Sequence, residues 1–165
     1  MKNKGFTLIE LLVVMTILAI LTMVTMAQFQ TAKKKANDVA RKGDLNAVSK
    51  ALQMFFNDYG YFPLESEIVF GGTFEDDSAS PPYVYMKRMP RENVANGKPY
   101  CYKVSADRKK YALYAQLENY VDKECDRNGN NIADDTTYMC GTPSVAYCYG
   151  ITSPNTSLNS SGDLQ

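Results

Sequence analysis

Two hydrophobic patterns follow one another along the first sixty residues. From residue 11 to residue 31 no side chain is charged, and apolar residues occupy every face. Beyond it, Ala36, Val39, Ala40, Ala47, Val48, Ala51, Leu52, Phe55, Phe56 and Tyr59 recur mostly three or four positions apart. Lys33, Lys35, Arg41, Lys42, Asp44 and Lys50 lie mostly off that stripe, as in an amphipathic helix. No proline occurs before Pro63, and Gly43 alone interrupts with a glycine, at a cost of up to about 1 kcal/mol relative to alanine. The two patterns therefore join into one helix over about 6–58, roughly 80 Å long at 1.5 Å per residue. Tyr59-Gly60 ends it, with Gly60 as the left-handed cap and Pro63 just beyond.

A run of about 20 apolar residues is long enough to cross the hydrocarbon of a bilayer. A secretory signal fits less well, because its apolar region is shorter and a small-x-small cleavage site follows it. Lys2 and Lys4 precede the run, and Lys33, Lys34 and Lys35 follow it on the side that would face outward, against the usual excess of basic residues inside. One acid, Glu10, stands near the start. A carboxylate at that depth costs several kcal/mol unless paired. Cutting the chain after Gly5 creates a partner, the α-amino group of Phe6. The apolar half has no partner within its own chain, so outside lipid it must bury itself against copies of itself. If Glu10 of one copy meets the Phe6 ammonium of the next, both charges are neutralised and the register is set. A head-to-tail contact that does not close builds a helical filament.

Residues 60–99 are rich in Gly, Pro, Ser and Asp and read as a long loop, with a brief strand or turn at 83–86. Residues 100–104 and 111–117 read as a hairpin around the turn 105–109, and 146–151 as a third strand. A helix laid across a small antiparallel sheet is an α+β layer architecture. From Thr152 onward the tail is Ser-, Asn- and Gly-rich and is expected to be mobile. Asn155-Thr156-Ser157 and Asn159-Ser160-Ser161 match the glycosylation sequon, a pattern common by chance.

Composition removes several chemistries. Histidine is absent, which takes away the commonest general base and metal ligand. No Gly-x-Ser-x-Gly, phosphate-cradling glycine loop or Cys-x-x-Cys occurs, so no enzyme is expected. The formal net charge is zero, and no nucleic-acid partner is expected. The four cysteines, Cys101, Cys125, Cys140 and Cys148, suit two disulfides in an oxidising compartment, with three possible pairings. Tyr100-Cys101-Tyr102 and Tyr147-Cys148-Tyr149 look like similar strand pieces. That likeness pairs Cys101 with Cys148 and leaves Cys125 with Cys140.

One polar loop has a cation-binding rhythm. In Asp126-Arg127-Asn128-Gly129-Asn130-Asn131-Ile132-Ala133-Asp134-Asp135, oxygen-bearing side chains fall at alternate positions. Calcium takes 6–8 oxygens at about 2.3–2.6 Å. Asp126, Asn128, Asn130 and Asp134 are the candidate ligands, with the Ile132 carbonyl and Asp135 in support. Thr137 stands where an EF-hand carries Glu, so an EF-hand proper is not expected.

The start of the chain, MKNKGFTLIELLVVMTILAIL, resembles the processing signal of type IV pilins and type II secretion pseudopilins. Asn57-Asp58-Tyr59-Gly60-Tyr61-Phe62-Pro63 and Tyr85-Met86-Lys87-Arg88-Met89-Pro90 resemble segments of the major pseudopilin. The resemblance implies a pilin-like fold. It also implies cleavage between Gly5 and Phe6 by a prepilin peptidase, N-methylation of Phe6, and a role for Glu10 in assembly. Partners implied are further copies in a helical homopolymer, the membrane, and an inner-membrane assembly platform. Implied too is a calcium site of the kind major pseudopilins carry. The expected organisation is a leader (1–5), an assembly half of the helix (6–32) and a globular domain (33–165) that includes the amphipathic half (33–58) and the loop 60–99. The expected location is single-pass in the cytoplasmic membrane, then an extracytoplasmic filament. A minor or tip subunit, or a membrane-anchored binding module, is the alternative.

Overall fold

The computed structural model describes residues 5–78, 80–92, 98–119, 122–125, 138–141, 145–154, 156–157 and 164. The long helix is present as a single element, α1 (Leu8–Tyr59, 52 residues), close to 78 Å at 1.5 Å per residue. It begins two residues later than the apolar pattern suggests because Thr7 caps it, its hydroxyl accepting from the Glu10 N–H. Gly60 ends it in the left-handed conformation (φ 71°), and its N–H donates to the Phe56 carbonyl. A side chain at Gly60 would be strained there, which is why the helix stops at this glycine.

The stripe that docks the second half of α1 differs from the one read off the apolar residues. Ala36, Val39, Ala40 and Ala47 are exposed, Val39 at 71%. The buried positions are Asp38, Arg41, Leu45, Val48, Ala51 and Leu52. These lie on one face at 3.6 residues per turn. The face begins with two charged residues, so apolarity alone points to the wrong side of the helix there. Leu45, Val48 and Leu52 are fully buried and contribute roughly 1.5–3 kcal/mol each.

The helix packs on two small layers. Within the stretch expected to be loop lie a 3-10 turn (Glu65–Glu67) and β1 (Phe74–Asp76), which forms a hairpin with β2 (Tyr83–Met86), where a brief strand or turn was expected. Phe55 packs between them, its ring 5.5 Å from Phe74 and 5.3 Å from Tyr85. The main sheet has β3 (Cys101–Val104), β4 (Tyr111–Ala115) and β7 (Tyr149–Thr152) in the order β3-β4-β7, all antiparallel. The expected third strand is two strands: β6 (Val145–Tyr147) pairs with β5 (Tyr138–Cys140), and the chain changes sheet at Cys148 before β7. β4 is buried at every residue, as a central strand covered on both faces must be. The tail, expected to be mobile, meets the domain again at Leu164, which packs against the cluster of Ala112, Tyr114, Cys140 and Tyr147.

The β3–β4 turn grips the end of α1. Arg108, in the left-handed region at φ 56°, donates from Nε to the Phe62 carbonyl at 2.7 Å and lies 4.1 Å over the Tyr61 ring. Lys109 Nζ donates to the Gly60 carbonyl. The last turn of α1 contains no basic residue, and this lysine supplies the positive charge that a helix C-terminus favours.

The disulfides overturn the expected pairing. Cys101 is bonded to Cys140 and Cys125 to Cys148, with Cα separations of 6.1 and 4.8 Å. β3 and β7 flank β4 on opposite sides, so Cys101 and the start of β7 are two strand spacings apart, roughly 10 Å. A disulfide cannot span that distance. The similarity of the two Tyr-Cys-Tyr triplets reflects shared strand character rather than proximity.

Candidate functional site

The N-terminal end of α1 carries the three residues singled out for processing and assembly. Gly5, Phe6 and Glu10 are all exposed, Phe6 at 78%, with open space around Gly5. Glu10 and Thr7 form a reciprocal capping box. The Thr7 N–H and hydroxyl both donate to Glu10 Oε2, at 2.9 and 2.7 Å, and the Glu10 N–H donates to Thr7 Oγ1 at 3.3 Å. The carboxylate is thus held at the very start of the helix, where the unpaired N–H groups favour negative charge. Thr-x-x-Glu is a capping signal in the sequence, so Glu10 serves the helix start as well as carrying a charge.

The first half of α1 is long and apolar enough to cross a membrane, and none of its described side chains is buried within the chain. Leu8, Ile9, Ile20 and Phe29 are 83, 69, 66 and 69% exposed. The hydroxyls along this stretch are satisfied internally. Thr16 donates to the Val13 carbonyl at 2.7 Å, and Thr22 to the Leu18 carbonyl at 2.7 Å. That arrangement suits a medium without water, where an unpaired polar group is expensive.

The point where the stalk meets the domain is a charged knot that the sequence reading missed. Arg41 is 6% exposed and Asp38 3%. The Arg41 guanidinium donates to Asp38 Oδ1 (2.8 Å), to both oxygens of Glu92 (2.9 Å each) and to Glu118 Oε1 (2.6 Å). Asp38 also accepts the backbone N–H groups of Glu118 and Asn119, at 2.8 Å each. Burial disfavours the Arg41 charge, but the surrounding carboxylates outweigh it and hold the proton more tightly than usual. The next residue, Lys42, bridges Asp122 (2.8 Å) and Glu124. A signal was available: residues 38 and 41 continue backwards the rhythm of 45, 48 and 52.

Higher on the helix, tyrosine hydroxyls from the rest of the domain bind its polar side chains. Tyr100 donates to Asp44 and Tyr85 to Asp58, each at 2.7 Å, and Tyr111 shares a hydrogen bond with Ser49 at 2.6 Å. Tyrosine buries its ring against the helix while its hydroxyl satisfies the helix's polar edge.

The proposed calcium ligands Asp126, Asn128, Asn130, Ile132, Asp134 and Asp135 lie outside the described residues. Among the described residues no group of three or more metal-binding side chains is assembled. Both disulfides anchor the flanks of that loop, at Cys125 and Cys140.

The first 26 residues match the model of the prokaryotic N-terminal methylation motif. The chain is 46% identical over 56 residues to the type IV wide pilus major component PilA4 of Thermus thermophilus, covering 33% of this chain and 43% of that protein. It is 37% identical over 62 residues to the type II secretion system core protein G of Pseudomonas aeruginosa, covering 38% of this chain and 44% of that protein. The matches therefore span under half the length of these relatives. No solved structure matches the chain. The chain thus opens with the N-terminal methylation motif and, over about a third of its length, is similar to a type IV pilus component and a type II secretion core protein.

Proposed function

We propose that the chain is a structural subunit of a type IV pilus or type II secretion pseudopilus, which polymerises through its N-terminal helix after the leader is removed. One observation carries this reading. A single continuous helix is docked on its own domain along its second half, while its apolar first half buries none of its described side chains within the chain. Such a stalk is stable in lipid or among copies of itself. On this reading a prepilin peptidase cuts between Gly5 and Phe6 and the new terminus is methylated. The subunit waits as a single-pass protein of the cytoplasmic membrane, then passes through an assembly platform into an extracytoplasmic filament. Glu10, presented at the helix start, pairs with the Phe6 ammonium of a neighbour.

The test is expression of Glu10→Ala and Glu10→Gln beside the parent, with filaments scored by electron microscopy and leader removal by mass spectrometry. Both variants should be trimmed yet fail to polymerise. Filaments as abundant as the parent's would end the proposal. Deleting residues 6–32 separates the alternative: a tip or anchored binding module would keep its ligand, whereas a filament subunit would lose its activity.

The loop 126–135 is proposed to bind calcium. Its alternate oxygen-bearing residues support that, as do the two disulfides that fasten its flanks.

A further inference from the structure

We infer that Lys33, Lys34 and Lys35 form a collar that binds the phosphate groups of anionic lipids at the domain end of the membrane-spanning stretch. The inference rests on the reading of the stalk as a span. The uncharged run from residue 11 to residue 32 rises about 33 Å, close to the hydrocarbon thickness of about 30 Å. The three lysines therefore stand at the level of the lipid headgroups when the run is inserted. Their long aliphatic stems can lie along the hydrocarbon edge while the ammonium groups reach the phosphates.

Their surroundings separate these cations from the next two. Arg41 is enclosed by Asp38, Glu92 and Glu118, and Lys42 by Asp122 and Glu124. Lys33, Lys34 and Lys35 are exposed, and among the described residues none of their ammonium groups is in an ion pair or hydrogen bond. Lys34 acts on Glu118 only through longer-range attraction. The nearby acids are thus already committed, and an external anion is what remains to match three adjacent positive charges. Successive helical residues are about 100° apart, so the collar covers roughly 200° of the circumference. The uncharged face of Ala32, Ala36 and Val39 stays open to other helices. The collar also accounts for the basic cluster standing where the positive-inside tendency disfavours it.

The test is native mass spectrometry of the full chain released from detergent micelles containing equal amounts of phosphatidylglycerol and phosphatidylcholine with the same acyl chains. The parent should retain phosphatidylglycerol over phosphatidylcholine by at least about tenfold, since each lysine near a lipid phosphate is worth roughly fivefold. K33Q/K34Q/K35Q should bring the ratio close to one. K50Q/K87Q/K123Q removes the same charge from exposed lysines of the helix and domain and should leave the preference in place. An equal ratio in the parent would overturn the collar, as would equal loss in both variants. Millimolar inorganic phosphate that erased the preference would mark a general anion site and overturn it too. Partition into lipid nanodiscs is scored separately: insertion without lipid preference removes the collar alone, whereas failure to insert removes the span and the collar together.

Discussion

Arg41 meets Asp38 at 2.8 Å across one turn of the helix, and both side chains are more than nine-tenths buried. The pair lies where the stalk leaves the domain, and through Glu92 and Glu118 it ties the helix to two other segments of the chain. Removing the cation would leave buried carboxylates without compensation. Arg41→Met should therefore destabilise the domain by about 3–5 kcal/mol, read from denaturant unfolding of the full chain in detergent by circular dichroism. A loss under about 1 kcal/mol would show that the knot is replaceable.

The same knot sets the acid limit of stability. Burial would raise the Glu118 carboxyl, but its bonds to Arg41 and Asn37 prevail and hold it below its ordinary value of 4.5. Asp122 is likewise opposed by burial and held below 3.8 by Lys42. Groups lowered in the folded state contribute stability above their ordinary values and lose it as pH falls through the folded ones. At the alkaline end, burial and the bonds to Asp58 and Asp44 raise Tyr85 and Tyr100 above 10.0. Their contribution is lost as pH rises through the raised values. The melting temperature should be level between about pH 5 and 9 and fall on both sides. A profile unchanged at pH 3 would contradict the acid half.

Non-reducing peptide mapping should recover Cys101 linked to Cys140 and Cys125 linked to Cys148. The bonded cysteines are 39 and 23 residues apart, so loop-closure entropy assigns each bond roughly 3–4 kcal/mol. Replacing Cys125 and Cys148 together by alanine should lower stability by about that much. Recovery of Cys101 linked to Cys148 would restore the pairing that the sequence suggested.

Gly150 is needed for its lack of a side chain. A Cβ there would sit 2.8 Å from Cδ1 of the Tyr114 ring, and that ring is fully buried. Gly150→Ala should cost about 1–3 kcal/mol through overpacking, measured by thermal melting. A variant that melts with the parent would mean that the ring can shift.

Millimolar calcium should raise the melting temperature of the full chain, and chelation should reverse the rise. Asp126→Ala with Asp134→Ala should abolish the response. No calcium-dependent shift in the parent would remove the site.

The sequence by itself determined the local, one-dimensional features of this protein. The stalk, its glycine stop and the β3–β4 hairpin are local decisions, set by apolar run length, by the tolerance of Gly60 for left-handed backbone, and by alternation around a polar turn. Glu10, the candidate assembly acid, stood out for the same reason, since one acid in an uncharged run has few explanations. Only the tertiary structure decided which face of the helix is inside, which cysteines meet and where the chain changes sheet. Arg41 reads as lying off the apolar stripe until Glu92 and Glu118 arrive from fifty and more residues away. The cysteine partners depend on β4 separating β3 from β7. Hydrophobic pattern measures the cost of leaving water, but a buried ion pair and a strand order are set by what waits on the other side.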